Sequence, residues 1–210
     1  MLRLLLLSAI AVTGATAAQA SRPNVVVPAF PNAVCPVMGK PASLKLFVDT
    51  PRGRIYVCCV SCNKKIRADP ESMHKSAYPE IKKLDNGVCP VSGKKLQPDS
   101  PRMVLQGFEF GIFEPSLAKA AADDSQWILT HLTNPKATAI GNETCPVSGK
   151  PAEKLLIALV GDEVVRLSSM QCVDELKTDP ERYLQKAKEI AKQQKPKEPA
   201  SPSSSPAKEK

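Results

Sequence analysis

The sequence predicts an α+β protein made of three tandem small modules, each consisting of a turn, a β-hairpin and two helices. The hexapeptide CPVMGK at 35–40 returns as CPVSGK at 89–94 and again at 145–150, so the copies follow one another at nearly equal intervals. After the first and third copies, apolar residues first alternate and then recur at helical spacing. Because repeats at such intervals are arrays of small supersecondary units, these two observations predict the fold class.

Aligning the copies extends the repeat beyond the turn. When Cys145 is placed on Cys35, Cys172 falls on Cys62 and the segment DPER at 179–182 falls on DPES at 69–72. The second copy, aligned through its own turn, has lost three cysteines: Ile112, Phe113 and Ser116 stand where the first copy has Cys58, Cys59 and Cys62. We therefore predict a first unit at 21–85, a degenerate second unit at 86–141 and a third unit at 142–194.

The two ends of the chain differ from the repeats. Residues 1–20 carry one positive charge, a short apolar run and a final Ala-Gln-Ala, the pattern of a secretory signal peptide. This pattern predicts export to the periplasm or the extracellular medium, with no membrane span left after cleavage. Residues 195–210 are rich in Pro, Ser and Lys, which predicts a disordered tail.

The charge balance bears on the class of partner. The chain has 29 Lys and Arg against 21 Asp and Glu, a formal net charge of +8. A basic chain invites a nucleic-acid interpretation, but the lysines are dispersed and few aromatic side chains are present to stack on bases. Together with the predicted export, this pattern indicates a solvated basic surface and no nucleic-acid partner.

The first unit shows the predicted elements most clearly. Apolar residues alternate in SLKLFVD at 43–49 and in GRIYVCC at 53–59, and the intervening TPRG carries turn residues. These two segments predict a β-hairpin, with Leu44 among the residues that face the core.

Two helices follow the hairpin in the prediction. The first runs from Cys59 or Val60 to Ala68. The second begins in DPESM, with Asp69 as its N-terminal cap and a proline in its first turn, and it ends before Pro79. The third unit repeats this order and extends its last helix.

A unit of about 55 residues is at the limit of what one core can stabilise, so stacking, disulfides or a metal ion must help. In the first unit Cys35 lies in the turn, Cys58 ends the second strand, and Cys62 lies one helical turn further on. Two cysteines at a strand-to-helix junction, with a third from a neighbouring turn, form the arrangement of small zinc modules. Thiolates suit zinc or copper, so we predict a metal ion here. A disulfide between Cys35 and Cys62 is the alternative for this unit.

At this point the chain resembles the TRASH and YHS families of small metal-binding modules. The spacing C-x22-C-x3-C matches the TRASH pattern, and GRIYVCCVSCNKKIRADPESM at 53–73 is similar to the YHS run of strand, cysteine, helix and Asp-Pro. The resemblance is clear in the first unit, partial in the third and degenerate in the second. It implies a zinc-ribbon or treble-clef-like fold, a role in metal handling, and metal ligation by Cys35, Cys58 and Cys62.

No fourth ligand is evident from the sequence. Cys59 is a further candidate, but strand alternation predicts that its side chain points away from that of Cys58. The only histidines, His74 and His131, occur in unlike contexts, which predicts surface or capping roles. The aromatic residues of the second unit, Trp127 with Phe108, Phe110 and Phe113, are predicted to form its core.

The cysteines of the third unit allow two interpretations. Cys145 and Cys172 have the same separation as Cys35 and Cys62. In an oxidising compartment we expect a disulfide between them, worth about 3 kcal/mol by loop closure; metal ligation is the alternative. Cys89 has no partner within its unit and is expected to be free unless it bridges two chains.

The favoured function is an exported, non-enzymatic protein that binds or chaperones a metal ion, with another envelope protein as a further partner. One alternative is a disulfide-stapled array that presents surfaces to a partner. The second is a thiol–disulfide redox protein, since CVSC at 59–62 opens a helix and resembles a thiol oxidoreductase motif.

Overall fold

The computed structural model describes residues 23–194. The predicted signal peptide and tail therefore lie outside the described residues. Within them the protein mixes helices with small sheets, as the α+β prediction requires. The strands are β1 Val25–Val26, β2 Phe47–Thr50, β3 Gly53–Tyr56, β4 Lys82–Lys83, β5 Arg102–Leu105, β6 Phe108–Gly111, β7 Thr138–Ala139, β8 Ile157–Val160 and β9 Glu163–Arg166. The helices are α1 Asn63–Ala68, α2 Pro70–Ala77, α3 Ala118–Asp123, α4 Ser125–Thr133, α5 Met170–Thr178 and α6 Pro180–Gln194.

The order hairpin, helix, helix occurs three times along the described chain. Strands β2 and β3, β5 and β6, and β8 and β9 are antiparallel pairs. Each pair is followed by two helices. In the first two units a 3-10 turn, Val60–Cys62 or Pro115–Leu117, connects the hairpin to the helices.

The first hairpin is shorter than the sequence predicts. Residues 43–46 lie outside β2, and Leu44 is exposed rather than facing the core. Strand β3 is buried along its whole length, so Arg54 and Tyr56 are covered as well as Ile55. The predicted alternation fails here because neighbouring parts of the chain cover both faces of β3.

The limits of α2 agree with the prediction, whereas α1 begins at Asn63, after a 3-10 turn that covers the predicted start at Val60. The side chain of Asp69 accepts a hydrogen bond from the backbone N–H of Ser72 at 3.1 Å, and Pro70 occupies the first helical position of α2. The helix ends at Ala77, before Pro79. Local capping chemistry is therefore sufficient to place this helix.

Each unit has its own apolar core, and each core includes the cysteine of the repeated turn. Cys35, Cys89 and Cys145 have exposed fractions of 0%, 1% and 0%. Within each turn the cysteine N–H donates to the carbonyl of the lysine that ends the hexapeptide at 2.8 Å, and the glycine N–H donates back to the cysteine carbonyl at 2.9 Å. The glycines adopt φ of +66°, +69° and +73°, a conformation that a side chain strains.

An asparagine three positions before each cysteine ties the turn to the hairpin. The side-chain amide of Asn142 donates to the carbonyls of Thr144 at 3.0 Å and Arg166 at 2.8 Å, and its oxygen accepts from the Arg166 N–H at 3.1 Å. Asn32 and Asn86 make the same three bonds in their own units. This repeated brace, which the sequence analysis missed, holds the turn beside the end of the second strand.

Replacing Asn142 with Ala is expected to lower the free energy of unfolding by about 2–3 kcal/mol, because it leaves the backbone groups of Arg166 without their partners. The side chain of Asn142 is fully buried, whereas Asn24 is exposed. Urea denaturation of Asn142→Ala beside Asn24→Ala measures the effect. Equal midpoints for the two variants would show that the brace does not stabilise the fold.

Short strands join the units into a closed arrangement. β4, near the end of the first unit, pairs in parallel with β6 of the second, and β7, near the end of the second, pairs in parallel with β9 of the third. β1, at the start of the first unit, pairs with β8 of the third. An ion pair of 2.7 Å between Asp124 and Arg166 also links the second unit to the third. Each unit therefore contacts the other two, and neighbour contacts supply part of the support that a small unit needs.

Candidate metal centre

Cys35 is delivered to the site by its turn. Burial by itself raises the pKa of the Cys35 thiol, but backbone hydrogen bonds at Cys58, Val37 and Met38 act in the opposite direction, and the resulting pKa is lowered. The backbone at Cys58 and in the turn therefore favours a thiolate at this position, which is the form that ligates metal ions.

The other cysteines of the first unit come from the junction after β3. The 3-10 turn starts immediately after Cys59, whose backbone is extended at φ −156° and ψ 161°, and it ends at Cys62. Cys62 has an exposed fraction of 1%, while Cys58 and Cys59 are half-buried. The junction thus places one buried thiol beneath two that border the solvent.

The sulfur atoms of the first unit form a compact group. The Sγ atom of Cys62 lies 3.7 Å from that of Cys35, 3.9 Å from that of Cys58 and 3.4 Å from that of Cys59. Those of Cys35, Cys58 and Cys62 all lie within 4.8 Å of one another. Two sulfurs bonded to one tetrahedral zinc at about 2.3 Å are about 3.8 Å apart. These three cysteines, which the sequence analysis predicted as ligands, are therefore positioned to hold a metal ion.

The structure corrects the expected orientation of Cys59. Strand alternation predicts that it points away from Cys58, yet the two Sγ atoms are 3.8 Å apart. β3 ends at Tyr56, so the chain is already turning at these two positions and alternation no longer applies. Cys59 consequently lies beside Cys58 and Cys62, although it is not one of the three cysteines whose sulfurs all lie within 4.8 Å of one another.

The thiols of Cys59 and Cys62 have unequal acidities. Hydrogen bonds with Ser61, Cys62 and Cys58 lower the pKa of Cys59 to about 7. Burial, together with hydrogen bonds to its neighbours, raises the pKa of Cys62 to about 12. A cation that replaces the Cys62 proton must therefore compete with it, so metal binding to this group releases protons and weakens as the pH falls.

In the third unit hydroxyl groups stand where the first unit has thiols. Ser168 and Ser169 are the counterparts of Cys58 and Cys59. Their Oγ atoms lie 3.5 Å and 3.3 Å from the Sγ of Cys172. Cys145 is fully buried in the same core cluster. The alignment that matches the cysteines of the two units also matches these serines to Cys58 and Cys59, so this replacement is visible in the sequence.

The predicted disulfide of the third unit is not formed in this structure. Cys145 and Cys172 are free thiols, as are the other five cysteines of the chain, all of which lie within the described residues. Burial raises the pKa of Cys145, but hydrogen bonds with Ser148 and Ser168 outweigh this and lower the pKa to about 6. The joining of this pair under oxidising conditions stays a prediction.

The second unit has the repeated turn but lacks the group of cysteines found in the first unit. Cys89 is buried among apolar residues, and Ile112, the counterpart of Cys58, has an exposed fraction of 2%. Phe110 is buried in this core, and Phe108 and Trp127 pack against it, as predicted. Phe113 differs from the prediction: it is exposed, and the ammonium group of Lys94 lies 4.4 Å from its ring centre.

The two histidines lie in different environments. A surface or capping role is predicted for His74, but it is 4% exposed and its ring packs on that of Tyr78 with centroids 4.9 Å apart. Helix α2 packs against the hairpin, with Ala77 in the same core cluster as Val48 and Ile55. The position of His74 in the helix did not by itself predict its burial. His131 is exposed, as predicted, and its ring lies 5.1 Å from that of Trp127.

Comparison of the chain with protein-family models, with curated proteins and with solved structures found no match. Among the described residues no helix combines the length and the apolar character needed to cross a membrane. The structure thus defines a small α+β protein with a group of cysteines that is positioned to hold a metal ion.

Proposed function

We propose that the protein is an exported, non-enzymatic metal-binding or metal-chaperoning protein whose complete site lies in the first unit. The observation that carries this proposal is the close approach of the Sγ atoms of Cys35, Cys58 and Cys62, all within 4.8 Å of one another. The Sγ of Cys59 lies beside this group, 3.8 Å from that of Cys58 and 3.4 Å from that of Cys62. The donor set is soft, so the ion is zinc or copper.

The exposure of the thiols supports metal handling in preference to a purely structural ion. Cys35 and Cys62 are buried, whereas Cys58 and Cys59 border the solvent. An ion held by this group can be reached from one side by the ligands of another molecule. That molecule is an envelope protein that supplies or receives the ion, and nucleic acid is not a partner.

We also propose that the three units, with the boundaries given above, are copies of one TRASH- or YHS-like module of zinc-ribbon or treble-clef type. Support comes from the turn, whose two backbone hydrogen bonds have the same lengths in all three copies. The asparagine brace and the order hairpin, helix, helix recur with it. In this proposal the second and third units are copies in which the ligands were replaced by apolar and hydroxyl side chains.

A thiol–disulfide redox function is the second candidate. It is favoured by the separation of 3.4 Å between the Sγ atoms of Cys59 and Cys62, the shortest among the four thiols. The half-exposed thiol of this pair also has the lower pKa, as an attacking cysteine requires. A disulfide here would remove Cys62 from the metal site, so the two functions exclude each other in any one molecule.

Metal analysis of the chain from Ser21 to Lys210, purified under reducing conditions, tests the proposal. We expect one zinc or copper ion per chain, lost after alkylation of the thiols, with an affinity that falls on acidification because binding displaces thiol protons. Reduced protein that takes up neither zinc nor copper would contradict the proposal. A Cys59–Cys62 bridge in equilibrium with glutathione would then favour the redox function, and its absence would favour the disulfide-stapled array.

A further inference from the structure

The fourth position of the repeated turn differs in chemistry between the units. It is Met38 in the first unit, Ser92 in the second and Ser148 in the third. The backbone around it is the same in all three, since both turn hydrogen bonds have equal lengths and the following glycine has φ between +66° and +73°. The Cα–Cβ bond at this position therefore leaves the backbone in the same direction each time.

In the third unit the side chain at this position lies toward Ser168 and Cys172, the counterparts of Cys58 and Cys62. The Oγ of Ser148 lies 2.8 Å from that of Ser168, and the hydroxyl of Ser168 lies 3.5 Å from the Sγ of Cys172. Ser168 is the counterpart of Cys58. The side chain at the fourth position of the turn therefore starts beside the place that a ligand thiol occupies in the first unit.

The first unit, which has the group of three cysteines, also has a sulfur-bearing residue at this position. Met38 has an exposed fraction of 53%, so about half of its side chain is not packed against the protein. A serine here donates or accepts a hydrogen bond, whereas a methionine offers an uncharged thioether. Thioether and thiolate ligands together select Cu(I), while zinc sites use thiolate, imidazole and carboxylate.

We propose that Met38 folds over the cysteine group as an additional ligand and that the ion of the first unit is Cu(I). This inference rests on the proposed metal-binding function and narrows it to one metal. The thiolates of Cys35, Cys58 and Cys62 bind the ion on the side that faces the protein. The thioether of Met38 binds it on the side that faces the solvent. Because the thioether carries no charge, it adds a soft donor without adding to the negative charge of the thiolates.

The test is a pair of competition titrations on the reduced full chain, one with Cu(I) and a chromophoric Cu(I) chelator and one with Zn(II) and a zinc indicator. Met38→Leu keeps an apolar side chain of similar size without the sulfur. It is expected to weaken Cu(I) binding by about tenfold or more and to leave Zn(II) binding unchanged within about twofold. Met38→Ser, the residue of the other two units, is expected to do the same.

Met170→Leu is the matched control, because Met170 is also an exposed methionine and lies beside the site of the third unit. It is expected to leave both affinities unchanged. Methyl-labelled methionine gives a second readout: the Met38 methyl resonance shifts when Cu(I) is added and stays in place with Zn(II).

The outcomes separate this inference from the function on which it rests. Wild-type chain that binds neither ion contradicts both. Cu(I) binding with full affinity in Met38→Leu, together with an unmoved methyl resonance, overturns the role of Met38 and leaves the metal-binding function standing. Equal loss of Cu(I) and Zn(II) affinity in Met38→Leu also overturns it, because a packing defect does not discriminate between the ions.

Discussion

Cys62→Ser is expected to abolish tight metal binding and to reduce the stoichiometry from one ion per chain to none. The Sγ of Cys62 lies between 3.4 and 3.9 Å from those of the other three cysteines, so it is shared by any set of ligands the group offers. Loss of a residue that only orients a ligand costs about 10–100-fold in affinity, so we expect loss of this ligand to cost more than about 100-fold. Zinc and Cu(I) titrations of the reduced variant measure the effect.

The matched control is Cys172→Ser, at the equivalent position of the third unit. Both cysteines are buried, with exposed fractions of 1% and 6%, so both variants place a hydroxyl in a core and cost about 1 kcal/mol or more of stability. Circular dichroism and thermal unfolding check that each variant is folded. Only Cys62→Ser is expected to lose the ion. Equal loss in the two variants, or full binding by Cys62→Ser, would contradict the assignment of the site to the first unit.

Ser168→Cys is expected to raise the stoichiometry from one ion per chain to two. The Oγ of Ser168 already lies 3.5 Å from the Sγ of Cys172, and the core that contains Cys172 also buries Cys145. A thiol in its place would complete the arrangement of the first unit. Because three thiolates suit a soft or borderline ion far better than two thiolates and a hydroxyl, one added sulfur is expected to create a second site.

Ser116→Cys is the control for this gain. Ser116 is the counterpart of Cys62 in the second unit, but the counterpart of Cys58 there is the buried Ile112. A new thiol at this position has Cys89 as its only thiol neighbour in the unit, so the stoichiometry is expected to remain at one. Metal analysis of reduced, folded proteins compares the variants. A folded Ser168→Cys protein that still binds a single ion would show that the units differ in more than their ligands.

Prediction from the sequence was most successful for features that depend on interactions between residues close together in the chain. Asp69 caps α2 because its side chain reaches a backbone N–H three positions away, and this depends on nothing outside that turn. The three proposed ligands were found because a cysteine turn and a strand-to-helix junction have a fixed spacing. The side of the chain on which Cys59 lies was predicted wrongly, since alternation holds only while the strand continues.

Other features could not be predicted because they join segments that are far apart in sequence. His74 is buried by the way α2 folds onto the hairpin. Each asparagine brace joins a turn to the far end of its hairpin, and a single asparagine carries no local signal of such a bond. Comparing the three copies position by position would have revealed them, since an asparagine stands three positions before every turn cysteine.

The sequence by itself determined the three copies of the turn, the hairpins and helices that follow them, and the identity of the cysteines available in each unit. These are properties of residue type and local spacing. The tertiary structure alone decided that the sulfur atoms of three other cysteines lie within 3.9 Å of that of Cys62, and that β1 pairs with β8 to bring the first and third units together. Side-chain direction after a strand ends, and pairing between distant strands, depend on packing free energies summed over many contacts. These free energies cannot be derived from any short stretch of sequence.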